Sequence, residues 1–309
     1  MRVVVSGGTG FIGRPLCQKL VALGHSVIVL TRNPGSAWAR LDPRVSVTRW
    51  EGTQRPGPEC LAALAGCEAV INLAGEPIAD RRWSDWVKDD LRASRIGATA
   101  ALVSMLSTRG VKPGLLISAS AIGYYGPRGD EILTEESPPG AGFLASLCSG
   151  WEAAARAAEP LGIRVVLPRI GVVLGKGGGA LGKMLTLFRL GLGGPMGSGT
   201  QWISWIHRDD LVELLVTALE NETLRGPINA TAPHPVTNRE FASTLGQVLN
   251  RPARLPTPGF LLRLALGQAA DELLLTGQRV LPRRAEEWGY RFRYPRLAEA
   301  FHEILAARQ

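Results

Sequence analysis

A run of glycines near the start of the chain has the spacing of a phosphate-binding turn. Residues 6–13 read SGGTGFIG and fit two overlapping forms of the motif, Gly8-x-Gly10-x-x-Gly13 and Gly7-x-x-Gly10-x-x-Gly13. Glycine here lets the chain turn sharply and brings backbone N–H groups close to a pyrophosphate, while the N-terminus of the following helix adds positive potential. Because the run follows a strand pattern and opens a helical one, it favours a dinucleotide site over a tight turn without a ligand.

The residues at the end of the second predicted strand indicate which dinucleotide is bound. Thr31-Arg32-Asn33-Pro34 contains no acid, whereas sites that prefer NAD usually place a carboxylate there for the ribose 2′-hydroxyl. The Arg32 guanidinium suits a 2′-phosphate, and a charge-assisted hydrogen bond contributes about 1.5–3 kcal/mol, or about a tenfold to hundredfold preference. We therefore predict NADP as the cofactor, with a solvated arginine at a strand end as the alternative.

The elements that must position these residues are visible as alternating patterns in the first half of the chain. Phe11–Leu23 carries apolar residues at helical spacing and is followed by Gly24. Short apolar runs read as buried strands at residues 3–5, 27–30, 69–73, 115–118 and 165–167. Such strands separated by helices indicate a parallel sheet covered on both faces. The predicted fold class is α/β, a doubly wound parallel sheet of the Rossmann type with a small, mostly helical C-terminal substrate domain.

The composition changes after about residue 170. Eleven glycines lie between Gly171 and Gly199 around a helical stretch, which is typical of either a mobile lid near a ligand or a long surface connection. Further on, Thr237 and Glu240 have the capping-box spacing that begins a helix. We predict an NADP-binding Rossmann domain over residues 1–168, with a later contribution from 201–231. Residues 169–309 are predicted to form a glycine-rich lid and the C-terminal substrate domain.

Composition narrows the class of protein. The 309 residues are 45% hydrophobic, which excludes a disordered or fibrous chain. The net charge of +8 suits an anionic partner, but the arginines are scattered and no nucleic-acid module is recognisable, so we expect no nucleic acid. Four cysteines without a CxxC pattern favour neither a metal site nor disulfides, and they suit a cytoplasmic setting. Charged residues interrupt the most apolar stretch, Phe260–Gly277, so we expect no membrane span.

Two further motifs follow predicted strands, Asn72-Leu73-Ala74-Gly75 and Ile117-Ser118-Ala119-Ser120. With the glycine run, they resemble the short-chain dehydrogenase/reductase superfamily, in its extended, sugar-nucleotide-epimerase-like branch. More specifically, the chain is similar to the YfcH-like group of epimerase family proteins, which are NAD-dependent epimerase/dehydratase-like. The segments that carry this closer resemblance span nearly the whole chain: residues 72–78, 94–95, 151–155, 193–199, 205–207 and 277–282.

The resemblance implies an NADP-binding fold and specific contacts for it. The pyrophosphate contacts would be Gly7, Gly10, Phe11, Ile12 and Gly13. The 2′-phosphate contacts would be Thr31 and Arg32, and the adenosine and ribose side would be lined by Leu73, Ala74 and Gly75. Asp90 and Arg95 match positions that reach the cofactor, although an ordinary pair of surface charges is the alternative. Arg169 lies in the segment that passes beneath the nicotinamide.

Active members of the superfamily use a Tyr-x-x-x-Lys pair for proton transfer, and this chain has none. The residues four positions after its four tyrosines are Arg128, Gly129, Tyr294 and Ala298. Alignment on Trp151-Glu152 puts Leu144 at the tyrosine position and Cys148 at the lysine position. Leucine transfers no proton, and general acid–base catalysis contributes ~10²–10⁴-fold, so carbonyl reduction or 4-epimerisation would need another donor. Leu144 is still expected to pack against the nicotinamide.

Ser120 and Tyr124 are the candidate catalytic residues. Ser120 lies with Ser118 on the strand that carries the superfamily's serine, and we place Ser118 at the cofactor; a serine that caps a turn is the alternative. Tyr124 precedes Arg128 at the tyrosine–lysine spacing, and a positive charge lowers a phenol pKa. Loop tyrosines are also common packing groups. Cys148 could donate a proton only with a suitably shifted pKa, and a cysteine on an amphipathic helix is usually a core residue.

Two functions are compatible with these residues. The first is an NADP(H)-binding reductase or epimerase that uses a different proton donor. The second is a non-catalytic NADP(H)-binding sensor or regulatory protein. Either protein would bind a small molecule that the residues do not identify. The oligomeric state is left open, with a homodimer as one alternative.

Overall fold

A computed structural model describes residues 1–52, 56–108 and 112–306. The strands within these ranges are β1 Arg2–Ser6, β2 Ser26–Thr31, β3 Ser46–Arg49, β4 Ala69–Asn72, β5 Leu115–Ser118, β6 Ser120–Ala121, β7 Ile132–Leu133, β8 Arg164–Ile170, β9 Val172–Leu174, β10 Trp202–Ile203, β11 Trp205–His207, β12 Gly226–Ala230, β13 Val236–Thr237 and β14 Arg279–Val280. The order of the long strands and their apolar sequences agree with the predicted alternation.

The helices in the same ranges are α1 Gly13–Ala22, α2 Pro34–Trp38, α3 Pro58–Leu64, α4 Asp85–Arg92, α5 Ala98–Leu106, α6 Phe143–Arg156, α7 Gly179–Arg189, α8 Arg208–Glu220, α9 Asn238–Leu249, α10 Gly259–Leu266, α11 Gln268–Ala270, α12 Arg283–Glu287 and α13 Leu297–Leu305. Single 3₁₀ turns lie at Ile122–Tyr125 and Glu159–Leu161, and π-helical turns at Ala93–Gly97 and Asp271–Leu275. The predicted capping box is present at the start of α9, where Thr237 and Glu240 bond each other's backbone.

The main sheet is parallel and has the strand order β12-β8-β5-β4-β1-β2-β3, with β6 added beside β8. Successive crossovers run outward from β1 in both directions, so the topology switches between β1 and β4. Ligands of open α/β sheets bind at the carboxyl ends of the strands beside such a switch. This arrangement confirms the predicted doubly wound fold.

Helices cover both faces of the sheet because each central strand is apolar on both sides. Val3 and Val5 of β1 are buried in one core with α1 and α8, whereas Val4 is buried in a second core with α3 and α5. This alternation follows from the two-residue period of a strand. All three valines are fully inaccessible to solvent.

The C-terminal part of the chain is largely helical, as predicted. Its core joins α7, α9 and α13 through Phe188, Phe241 and Phe301. β12, within residues 201–231, is the edge strand of the main sheet, in register with β8. The exact division into two domains stays a prediction. No helix of the described ranges has both the length and the apolar character needed to cross a bilayer.

Candidate functional site

Hydrogen bonds between buried polar side chains connect the ends of β1, β4 and β5 beside the topological switch. The Ser6 hydroxyl donates to Asn72 Oδ1 at 2.5 Å. Asn72 Nδ2 in turn donates to the hydroxyls of Thr99, at 2.9 Å, and Ser118, at 3.2 Å. Ser118 is fully buried in this network and lies beneath the surface of the site, so its contact with a cofactor stays a prediction. The network holds β1, β4 and β5 in a fixed relation.

A cavity of about 900 Å³ opens above these strand ends. We call it the strand-end groove. Eight of the residues predicted to bind the cofactor line it together: Gly7, Gly10, Thr31, Arg32, Leu73, Ala74, Gly75 and Asp90. The predicted residues Phe11, Ile12, Gly13, Arg95, Ser118, Leu144 and Arg169 are not in its lining.

The glycine turn forms the floor of the strand-end groove, and its geometry fits a pyrophosphate. Gly7 has φ +75°, and a Cβ there would lie 2.7 Å from the carbonyl carbon of Leu73. A Cβ on Gly13 would lie 2.2 Å from the Gly7 oxygen, so only glycine lets α1 pack this closely on the turn. No side chain caps the N-terminus of α1. The Arg14 N–H is bonded to the Gly10 oxygen and Pro15 has none, so the N–H groups of Phe11, Ile12 and Gly13, with the helix dipole, are those available to an anion.

Basic groups lie at the end of the groove beyond β2. Arg32 is 64% exposed, and its Nη1 donates to Glu76 Oε1 at 2.7 Å. Ser36 and Arg40 line the same end. Neither was predicted from the sequence, although an arginine two residues beyond the end of the short helix α2 is a signal that could have been read. Together these groups can accept a phosphate on a ribose 2′ position.

Asp90 and Arg95 do not form a surface pair with each other, so that alternative interpretation was wrong. Asp90 lines the groove and pairs with Arg81 at 3.1 Å. Arg95 lies in the π-helical turn after α4 and donates from Nη2 to the Glu76 carbonyl at 2.9 Å. A Cβ on Gly75 would lie 3.2 Å from the Arg95 guanidinium carbon. Arg95 therefore packs behind the groove wall, and direct contact with a cofactor stays a prediction.

The glycine-rich segment and α7 contact Phe11 and Asp80, at or next to the strand-end groove, although none of residues 171–199 is in its lining. A Cβ on Gly178 would lie 3.0 Å, and one on Gly179 2.9 Å, from ring atoms of Phe11. Phe11 thus supports the turn that leads into α7. On the opposite side, Lys183 of α7 pairs with Asp80, which lines the groove. A lid role for this segment stays a prediction.

A second group of residues surrounds the start of α6, and we call it the α6 cluster: Ser120, Tyr124, Leu144, Cys148, Glu152 and Arg169. Leu144 is 9% exposed and packs on Gly123, where an added Cβ would lie 3.1 Å from the leucine Cβ. Burial raises the pKa of the Cys148 thiol to about 12, so it is a poor proton donor at neutral pH. Neither residue supplies the proton chemistry of the superfamily's tyrosine and lysine.

A buried ion pair forms the centre of the α6 cluster. Arg169 donates to both carboxylate oxygens of Glu152, at 2.8 Å from Nε and 2.9 Å from Nη2, and both side chains are at least 95% buried. The hydroxyl of Ser120 donates to the same carboxylate at 2.8 Å. The predicted catalytic serine is therefore held by Glu152, which the sequence analysis quoted only as part of a motif.

Arg169, rather than Arg128, is the cation beside Tyr124. Its guanidinium carbon lies 3.5 Å from the centre of the Tyr124 ring, whereas Arg128 pairs with Glu131. The predicted role of the Tyr-x-x-x-Arg spacing is therefore wrong, although the tyrosine does lie on a positive charge. Among the residues that the structure describes, no group hydrogen-bonds the Tyr124 hydroxyl.

Tyr125, the neighbour of Tyr124, is used differently. Its hydroxyl donates to Asn229 Oδ1 at 2.6 Å and accepts from Arg169 at 3.0 Å. Burial raises its pKa to about 12, which makes it a structural link between β12 and the α6 cluster. Of the two tyrosines, Tyr124 is the one with a hydroxyl free to meet a ligand.

Comparison with known proteins agrees with this architecture. The sequence profile of the NAD dependent epimerase/dehydratase family matches residues 3–230. A second profile, that of a domain of unknown function, matches residues 257–304.

Relatives and a solved structure extend this match over almost the whole chain. The chloroplastic epimerase family protein SDR39U1 homolog of Arabidopsis thaliana is 43% identical over 314 residues, which cover 99% of this chain and 87% of that protein. The human epimerase family protein SDR39U1 is 40% identical over 309 residues, 99% of this chain and 100% of the human protein. A crystal structure of human SDR39U1, isoform 2 with NADPH, matches with a TM-score of 0.87 at 40% identity, covering 98% of this chain and 99% of that one.

Proposed function

The chain belongs to the NAD dependent epimerase/dehydratase family, and from this premise we propose that it binds NADP(H) in the strand-end groove. The observation that carries the proposal is the pair of arginines beyond β2, Arg32 and Arg40, where the strand end itself has no acid. A 2′-phosphate is the group that distinguishes NADP from NAD, and arginine forks suit it. The NADPH of the human relative supports the same cofactor here.

The residues that would hold the cofactor follow from the geometry of the groove. The N-terminus of α1 and the turn at Gly7 and Gly10 would bind the pyrophosphate, and Leu73 to Gly75 would line the adenosine and ribose. When bound, the nicotinamide accepts or supplies a hydride. The glycine-rich segment with α7, which contacts Phe11 and pairs through Lys183 with Asp80 at the groove, would limit the access of water.

For the reaction, we propose reduction or epimerisation of a small substrate, with Tyr124 as the proton donor. The Arg169 guanidinium under the ring would stabilise the phenolate that remains after the proton leaves. The Ser120 hydroxyl donates its proton to Glu152, so Ser120 would orient the substrate by accepting a hydrogen bond from a substrate hydroxyl. The unpartnered Tyr124 hydroxyl supports this assignment over Cys148.

A sensor or regulatory protein without turnover is the second candidate, and a specific observation favours it. Leu144 and the buried Cys148 occupy the positions of the superfamily's catalytic pair, so the usual proton relay is absent. In that case a partner would bind differently to α7 when the groove holds NADPH and when it holds NADP⁺. Both candidates share the same binding site.

One experiment separates the two candidates. Purified protein is titrated with NADPH by fluorescence, and NADPH oxidation is then followed with a panel of carbonyl compounds and nucleotide sugars. Tight binding with turnover of any compound supports the enzyme, and tight binding with none supports the sensor. Absence of NADPH binding contradicts both.

The setting and the partners of such a protein are also proposals. The four cysteines are free and buried thiols, which suits a reducing, cytoplasmic setting. The substrate would be a small molecule rather than a nucleic acid. A homodimer is compatible with the exposed apolar residues of α10, whose side chains include Phe260 and Leu264.

A further inference from the structure

A carboxylate faces the predicted phosphate-binding arginine across the strand-end groove. Glu76, four residues after β4, lines the groove and accepts a hydrogen bond from Arg32 Nη1 at 2.7 Å. Its side chain is 28% exposed, whereas that of Arg32 is 64% exposed. The guanidinium that suits a 2′-phosphate is therefore already paired with an anion from the opposite wall.

The main chain at Glu76 is held in place independently of this ion pair. The Glu76 N–H donates to Ser94 Oγ at 3.3 Å, and its carbonyl accepts from Arg95 Nη2 at 2.9 Å. Both contacts use backbone atoms, so they survive a change of the side chain. The carboxylate is thus presented to the groove by a fixed support.

We propose that Glu76 limits how strongly the protein selects NADP over NAD. It competes with the 2′-phosphate for Arg32, and when the phosphate is absent it accepts a hydrogen bond from the ribose 2′-hydroxyl. NAD-binding sites place such an acid at the end of the second strand, and here the same chemistry comes from the segment after β4. The inference deepens the proposed function, because it rests on dinucleotide binding in this groove.

The charges set the direction of the effect. A bound 2′-phosphate brings up to two negative charges to an arginine that Glu76 already neutralises, so the carboxylate repels it and must give up its partner. Within the described ranges no carboxylate pairs with Arg40, so its guanidinium is available to the 2′-phosphate. NAD lacks the phosphate, so Glu76 does not lower its affinity.

Glu76→Gln tests the proposal, with NADPH and NADH affinities measured by fluorescence titration of the full chain. Because exposed ion pairs contribute about 0.2–1 kcal/mol and repulsion of the phosphate adds to that, we expect NADPH to bind about threefold to tenfold more tightly. NADH should bind about twofold to fivefold more weakly, because a carboxylate is the better acceptor. The gain for NADPH should shrink as salt is added, since salt screens exposed charges.

Asp89→Asn is the matched control. It also removes one negative charge, but Asp89 pairs with Arg92 on α4 and does not line the groove. A general change of charge would give both variants the same NADPH gain, which would overturn the proposal. In an Arg32→Gln background the effect of Glu76→Gln on NADPH should be at least halved, because the competition is then gone.

The outcomes also separate this inference from the proposed function. If the unaltered protein binds NADPH and Glu76→Gln changes neither affinity by more than twofold, the inference fails and the proposed function stands. If Glu76→Gln weakens NADPH binding, the carboxylate helps to hold the phosphate site and the inference is wrong. If the unaltered protein binds neither dinucleotide, both are overturned.

Discussion

The strand-end groove and the α6 cluster rely on different parts of the chain. In the groove, the proposed contacts are largely main-chain groups at Gly7, Gly10 and the start of α1, and charged side chains such as Arg32 are exposed at its rim. In the α6 cluster, each role depends on one side chain, and the central ion pair is buried. Binding by main-chain groups tolerates substitution around it, whereas proton transfer disappears with one tyrosine. A cofactor fold of this kind is therefore expected to be kept more easily than the proton chemistry beside it.

The two arginines at the centre of these regions show the same contrast. The side chain of Arg32 is 64% exposed and that of Arg169 is 3% exposed. An exposed arginine can change partners when a ligand arrives, because water solvates it in either state. A buried arginine must keep its partner, since an unpaired buried charge is costly. The first suits recognition of a ligand and the second suits the positioning of neighbours.

The largest effect should come from Tyr124→Phe, which tests whether the α6 cluster retains proton chemistry. If the phenol is the donor, turnover falls ~10²–10⁴-fold, the usual contribution of a general acid. NADPH affinity, measured by fluorescence, should stay within about twofold, because a lost transition-state interaction lowers turnover without changing cofactor binding. The control is Tyr294→Phe, because Tyr294 packs on His207 outside the α6 cluster. Full turnover by the Tyr124 variant would refute the assignment of the donor.

Next in size is the effect of Arg169→Met on stability. It leaves the Glu152 carboxylate buried without its bidentate partner, and we expect the free energy of unfolding to fall by about 3–5 kcal/mol. Urea denaturation measures the change. The double variant Glu152→Gln, Arg169→Met should recover part of the loss, because no buried charge remains. A loss below about 1 kcal/mol in the single variant would mean that water reaches the pair and solvates it.

Arg32→Gln should have a smaller effect, and on binding rather than on stability. NADPH affinity should fall about tenfold, near the lower end of the range for a charge-assisted bond, because Glu76 already occupies part of the guanidinium. NADH affinity and the free energy of unfolding should hardly change, since the side chain is exposed. Equal losses for both dinucleotides, measured by parallel titrations, would remove Arg32 from the 2′-phosphate site.

The smallest effect concerns Glu135, a buried acid beside the α6 cluster. Burial raises the pKa of its carboxyl above the ordinary value of 4.5, although the N–H groups of Asn229 and Arg284 donate to it. The folded state thus holds this proton more tightly than the unfolded chain. Stability from this group is present below pH 4.5 and is lost as the pH rises through the raised pKa.

Glu135→Gln should remove that dependence. Between pH 4.5 and neutrality, its free energy of unfolding should fall less than that of the unaltered protein. Urea denaturation at several pH values measures this, with the exposed neighbour Glu136→Gln as the control. Parallel pH curves for Glu135→Gln and the unaltered protein would show that the burial of Glu135 has no such effect.

The strand-end groove could be predicted from the sequence because its geometry depends on local spacing. The glycines are within seven residues of one another, and Arg32 directly follows the last residue of β2, so motif and strand pattern place them together. The contacts of the α6 cluster are not local. Arg169 and Glu152 are 17 residues apart, and one contact of the groove itself is also distant, because Arg32 and Glu76 are 44 residues apart. Only the folded chain shows which of the 62 charged residues meet, and for this reason Glu76 was missed.

The position of β12 at the edge of the main sheet has a consequence for synthesis of the chain. β8 pairs with β5 on one side and with β12 on the other, but Gly226 comes 56 positions after Ile170, the last residue of β8. While a ribosome adds the intervening residues, one edge of β8 has no partner, and unpaired edges of apolar strands pair readily with other chains. The nascent chain therefore exposes this edge of β8 until β12, which ends at Ala230, has been made, well after the cofactor turn.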